Sequence, residues 1–291
     1  MEVKKPTNIE EQIDKIAKRG CDIGSREFAR RVLSEINYYR LTAYFLPFKI
    51  ENDTYIDGTS LETVYNIHEF DCELRRLCFS ILEKIEIMLR VKISYYYAQE
   101  YGALGYLDKD NFNKYHNAER FAEHIKRTIK NNENQPFVKH HIEKYEGKFP
   151  IWVIVELFTF GEISRFYSDM KAADQKEIAF QICNSTYQNA KSWLVCLTDF
   201  RNYCAHSSRL YYTVFTSKPA TPNGMDYVLQ KRVFDYIMLL KFFYPDKDKW
   251  QDDFLKPLKN LLKKYENHIN LRHMGFPENW EELLNQPPKS L

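Results

Sequence analysis

Three residues near position 200 have the chemistry to cut a phosphodiester bond. The segment DFRNYCAHSSRLYY (199–212) holds Arg201, Asn202 and His206 within six positions. An imidazole, with an ordinary pKa of about 6.5, takes and gives protons near neutral pH. It can remove the proton of a ribose 2′-hydroxyl or supply one to the departing 5′-oxygen. An arginine presents a fork of donors to non-bridging phosphate oxygens and stabilises charge that grows in the transition state. An asparagine can orient the imidazole or the phosphate. The 2′-hydroxyl is an internal nucleophile, so this chemistry on RNA calls for no metal and no other cofactor.

A helix is expected to position these groups. Wound at 100° per residue, residues 193–209 put Trp193, Cys196, Leu197, Phe200, Tyr203 and Cys204 on one arc, predicted to be buried. Asp199, Asn202 and His206 fall on the opposite side. Arg201 lies on the flank, long enough to swing toward His206. Paired acid and base groups would be cramped on one helix, so a second copy of the chain would complete the site. Arg-x4-His alone is a short pattern that chance also produces, and a solvated polar face is the competing reading. Cys204 lies two residues from His206 but points to the apolar arc, which argues against a thiol nucleophile.

The rest of the chain reads as all-α. Of 291 residues, 44% are hydrophobic and 28% charged, a globular balance. Nine Gly and eleven Pro are too few for a turn-rich β fold. Net charge is +2, so an anion-binding surface has to be local. Six cysteines form no CxxC pair, and no signal peptide opens the chain, which points to a reducing cytoplasm. The apolar run 151–160, interrupted by Glu156, is too short to span a bilayer, so no membrane partner is expected.

Capping boxes are expected at Thr7/Glu10 and Thr59/Glu62, opening helices over 7–20 and 59–102, and Ser25 is expected to cap a helix running to Pro47. In the longest helix, Leu74, Leu77, Cys78, Ile81, Leu82, Ile85, Met88 and Leu89 follow a 3.6-residue period. Its polar face carries Glu83, Glu86 and Arg90, with Glu86 and Arg90 spaced as i,i+4 ion-pair partners. Residues 51–60 read as a turn or short hairpin, and 216–224 as a loop. Residues 108–148 hold nine Lys/Arg against seven acids, and read as two helices and a loop, an RNA-facing insertion or a solvated face. The stretch 149–170 is apolar and breaks at Gly161. Further helices are expected near 174–183, 188–209, 225–243 and 251–267.

Four segments bear a resemblance to a known family. They are INYYRLTAYFLPF (36–48), LEKIEIMLRVKI (82–93), FPIWVIVELFTFGEISRFY (149–167) and WLVCLTDFRNYCAHSSRLYY (193–212). Together they resemble the Abi-like family of bacterial abortive-infection proteins, AbiD/AbiF type, within the HEPN superfamily. The resemblance implies one unit over 1–291: an N-terminal helical segment (1–50), a HEPN bundle (59–245) with the insertion near 108–148, and a helical tail (246–291). It implies a homodimer whose two Arg-x4-His motifs meet, acting as a metal-independent endoribonuclease toxin against phage, in some members restrained by a small RNA. Arg201, Asn202 and His206 match the family's phosphate arginine, following polar residue and catalytic histidine. Glu83 and Arg90, with Glu86 beside them, fall where supporting polar residues are expected. Ser208 departs from the tyrosine found in HEPN toxins that nucleotidyltransferase antitoxins silence.

Other candidates are weaker. Tyr38, Tyr39, Arg40, Tyr44 and Phe45 read as a stacking and phosphate-contact patch or as core packing. Lys92, Arg209 and Lys231/Arg232 would extend a basic rim for RNA. His68, Cys72 and Cys78 lack zinc spacing and a fourth ligand, so no metal site is expected. Glu156 is either a buried partner of an arginine such as Arg165 or an interface residue. A non-catalytic RNA-binding or sensor module would use the same Arg-Asn-x3-His face, and a purely structural dimer would use it as an interface.

Overall fold

The architecture, taken from a computed structural model that describes residues 5–286, is all-α. Among the described residues thirteen α-helices follow one another: α1 (Ile9–Lys18), α2 (Arg26–Glu35), α3 (Tyr38–Thr42), α4 (Leu61–Tyr101), α5 (Ala118–Asn131), α6 (Pro136–Lys144), α7 (Ile151–Ile154), α8 (Phe160–Asp169), α9 (Ala172–Cys183), α10 (Tyr187–Ala205), α11 (Val233–Phe243), α12 (Lys256–Lys264) and α13 (Trp280–Asn285). Among the described residues β structure is limited to three isolated bridges. None of their helices is long and apolar enough to cross a membrane.

α4 is the spine. Its 41 residues give a rod about 60 Å long at 1.5 Å per residue. The Ser60 hydroxyl accepts the Thr63 N–H at 3.1 Å, and Gly102, at φ 77°, ends the helix. The cap is thus Ser60, one residue beyond the expected Thr59. At α1 the capping box is likewise shifted by one, to Asn8 and Glu11. A side-chain oxygen caps only where the backbone ahead of the helix is extended, and Asn8 and Ser60 both occupy that region.

Helix α10 packs against α4, α8, α9 and α11. α11 is buried at every position, which suits its apolar run. The close approach of α8 to α10 depends on Gly161, where a Cβ would meet the Thr198 methyl at 3.3 Å. The expected break at Gly161 falls instead at Phe158 and Thr159, whose hydroxyl caps α8. Gly161 is thus retained for packing inside the helix. The N-terminal segment also departs from expectation. Ser25 caps α2, but the helix stops at Ile36, where the backbone turns extended (φ −120°, ψ 119°), and α3 begins separately at the Asn37 cap. The insertion forms two helices, α5 and α6, as its pattern predicts. One continuous apolar cluster runs from Ile13 to Leu284.

Candidate active site

The helix carrying the motif is built as expected over most of its length. Trp193, Leu194, Cys196, Leu197, Phe200 and Cys204 are buried, and Asn202 and His206 are exposed. Its end differs. α10 stops at Ala205, and His206 is the C-cap, at φ −92° and ψ 16°. Ser207 then turns left-handed at φ 56°. The Ser208 N–H bonds back to the Tyr203 carbonyl at 2.9 Å, and the Ser207 N–H to Cys204 at 3.4 Å. This paired closure is the Schellman motif, which usually has glycine at the left-handed position. No glycine marks it here, which is why the sequence pattern extended the helix to 209.

Arg201 contacts α4. Its Nε lies 3.5 Å from Glu86 on α4, and its guanidinium sits 5.9 Å from the Phe79 ring centre. The Nε is buried and lacks a hydrogen-bond partner at that distance. Glu86 also takes the expected bond from Arg90, at 2.7 Å. Arg90 donates to the Phe158 carbonyl at 2.8 Å and faces Glu156 at 3.6 Å. The site is therefore one carboxylate between two guanidiniums, spanning α4 and α10. Glu156 is exposed, not buried, and the arginine it faces is Arg90 rather than Arg165. The His206 imidazole and the Asn202 amide make no hydrogen bond with another described residue, so both face solvent with their capacity open.

Other predicted site residues scatter around this centre. Glu83 and Lys92 are exposed on α4. Tyr39 is 86% exposed, whereas Tyr44 and Phe45 lie in the core. Arg40 and Arg209, expected at an RNA surface, stitch two segments together. Arg40 donates to the Ser207 carbonyl and Arg209 to the Ala43 carbonyl. The loop after His206 is thereby tied to the start of the chain.

Beneath this stitch is a network that sequence reasoning missed. Asp71 is fully buried and paired to Arg75, itself only 5% exposed. Asp71 accepts from the Tyr44 hydroxyl (2.8 Å), the Tyr211 N–H (2.7 Å) and the Leu210 N–H (3.1 Å). Arg75 reaches the Ser208 carbonyl at 3.3 Å. Burial pushes the Tyr44 hydroxyl well above the ordinary tyrosine range, and the Asp71 charge adds to it. The signal lay in the sequence: Asp71 and Arg75 are an i,i+4 opposite-charge pair on the apolar stripe of α4, where a lone charge would be costly. His68, Glu69 and Cys72 bring three candidate ligand atoms within 4.8 Å of one another, while Cys78 is buried elsewhere. The Cys72 sulfur already accepts from Arg75 at 2.9 Å. Burial pushes the Cys204 thiol far up, which keeps it protonated.

The family described as Abi-like protein matches residues 31–212, a span that includes the Asp71–Arg75 network, Glu86, Arg90 and the whole Arg-Asn-x3-His segment. The chain belongs to this Abi-like family, and that membership supports a role in abortive infection. No curated protein and no solved structure matches the chain.

Proposed function

We propose that this protein is a metal-independent endoribonuclease of the HEPN type, acting on RNA as an anti-phage toxin in abortive infection. The observation that carries the proposal is the end of α10. There an unengaged imidazole and amide, His206 and Asn202, stand beside an arginine held by a carboxylate. His206 takes the 2′-hydroxyl proton as the 2′-oxygen attacks phosphorus. The P–O5′ bond breaks, leaving a 2′,3′-cyclic phosphate, and the departing 5′-oxygen takes a proton from the protonated imidazole of the second copy's motif to become a 5′-hydroxyl. Arg201 stabilises the phosphorane charge, and Asn202 orients the imidazole or the phosphate. Glu86 and Arg90 position Arg201.

A second copy completes the site in this proposal. Ile87, Val91 and Tyr95 are 55%, 49% and 66% exposed and follow one another at i,i+4 along α4, beside the Glu86–Arg90 pair. Exposed apolar side chains in register favour burial against a partner. The test is incubation of wild-type and His206→Ala protein with end-labelled single-stranded RNA in EDTA. Cleavage by wild type alone, with cyclic phosphate ends, is expected. Cleavage retained by His206→Ala refutes the assignment. The alternative, a non-catalytic RNA sensor, gains support from the Glu86–Arg201 ion pair, which engages the arginine within its own chain. It predicts RNA binding by both proteins and cleavage by neither.

A further inference from the structure

A second cluster of cations lies away from Arg201 and His206. Between α5 and α8 is a cleft of about 430 Å³, within the range of small-ligand sites. On α5, Arg120, His124 and Arg127 follow at i, i+4 and i+7 and share one face; on α8, Glu162, Arg165 and Asp169 follow at i, i+3 and i+7. These two faces line the cleft.

The acids and bases in it are unequally engaged. Glu162 accepts from the Thr159 N–H as part of the α8 capping box, and it also pairs with the His124 Nε2. Asp169 pairs with His116 at 3.1 Å. With the Nε2 proton facing Glu162, the His124 Nδ1 is an acceptor, and Arg127 donates to it at 3.3 Å. The guanidiniums of Arg120 and Arg165 have no partner among the described residues. Glu123 at the rim is exposed. The cleft therefore offers open forked donors while two of its three carboxylates already carry hydrogen bonds. Forked donors that line one cleft from two helices match a phosphate group, whose oxygens accept in pairs. The volume leaves room for more than the phosphate itself.

We propose that this cleft binds the phosphate of a nucleotide, free or at the end of an RNA, through Arg120, Arg127 and Arg165. The cleft is also linked to the candidate active site by contacts. Glu162 holds Thr159; the preceding Phe158 carbonyl holds Arg90; Arg90 pairs with Glu86, the partner of Arg201. A ligand that draws Arg127 away from His124 acts on the first member of that chain.

The test uses full-length His206→Ala protein, so that RNA survives the measurement, and reads binding by calorimetry. The probes are AMP, adenosine, inorganic phosphate and a short oligouridylate with or without a 5′-phosphate. A phosphorylated probe is expected to bind at least about tenfold tighter than its unphosphorylated counterpart. The Arg120→Gln/Arg165→Gln double variant is expected to abolish that preference. Both positions are exposed, and an unchanged thermal midpoint checks the fold. Preference for AMP over adenosine identifies a free nucleotide; preference shown only by the oligouridylate identifies an RNA terminus. Equal binding of phosphorylated and unphosphorylated probes, or binding of inorganic phosphate alone, overturns the proposal. Phosphate preference in a chain whose wild type fails to cut RNA would overturn the nuclease reading and leave this one standing.

Discussion

Replacing Asp71 by Asn should cost more stability than almost any other single-atom change in this chain. The carboxylate is fully buried, pairs with a guanidinium that is 5% exposed, and accepts three further hydrogen bonds. Removing one member of a buried pair costs about 3–5 kcal/mol, because the other charge is left uncompensated. Asparagine keeps one acceptor oxygen for the Leu210 and Tyr211 N–H groups, so about 3 kcal/mol is expected. Arg75→Met should cost about 2 kcal/mol, since Asp71 retains its three neutral donors. The double variant removes both charges and should cost about 2 kcal/mol less than the sum of the singles. Urea unfolding followed by circular dichroism, with comparable m values in all four proteins, reads these differences. An Asp71→Asn cost under about 1 kcal/mol, or strict additivity, would refute the argument that this pair anchors the segment after His206.

Three further outcomes follow from single features. Burial lowers Lys241 to about 8, with repulsion from Lys247 adding to it, and burial lowers Lys247 to about 8 as well, against an ordinary 10.5. Native protein thus binds fewer protons than unfolded chain above pH 8, and stability should rise from pH 7 to about 9. Beyond that, buried thiols such as Cys183, pushed up to about 12, reverse the sign. Lys241→Met should flatten the rise and raise the pH 7 thermal midpoint. Ser207→Gly relieves a left-handed serine and should stabilise by about 0.5 kcal/mol, whereas Ser207→Val should cost more than about 1 kcal/mol in chemical denaturation. Gly161→Leu forces the α8–α10 contact apart and should cost about 1–3 kcal/mol, read from the same curves.

The sequence carried the all-α class, the spine, the two-helix insertion and the Glu86–Arg90 pair, because each is a local pattern of period or spacing. It misplaced boundaries where one residue decides the outcome. The cap of α1 and the cap of α4 each lie one residue beyond the expected threonine, with a reciprocal box only at α1, and α10 ended early because serine takes a conformation that pattern reading reserves for glycine. Contacts between distant segments were the least legible. Nothing near position 40 announces that Arg40 meets the Ser207 carbonyl, or that Arg201 turns to Glu86, since those meetings are set by helix packing. Asp71 and Arg75 are legible as two opposite charges at i,i+4 on an apolar stripe, but their shared partners, Tyr44 and the backbone of 208–211, are set by packing between distant segments.

The length of α4 has a consequence for how this chain is able to vary. Asp71 and Arg75 meet the segment after His206, Glu86 and Arg90 meet α10 and Phe158, and Tyr96 and Tyr101 meet Asp174 on α9. All six sit on one uninterrupted helix. One residue inserted between Arg75 and Glu86 would turn everything downstream by about 100° and advance it by about 1.5 Å. No loop lies between these stations to absorb the change. Insertions and deletions should therefore be confined to the connections outside the spine, and the eleven-residue step from Arg75 to Glu86 should behave as a fixed ruler, whatever substitutions accumulate along it.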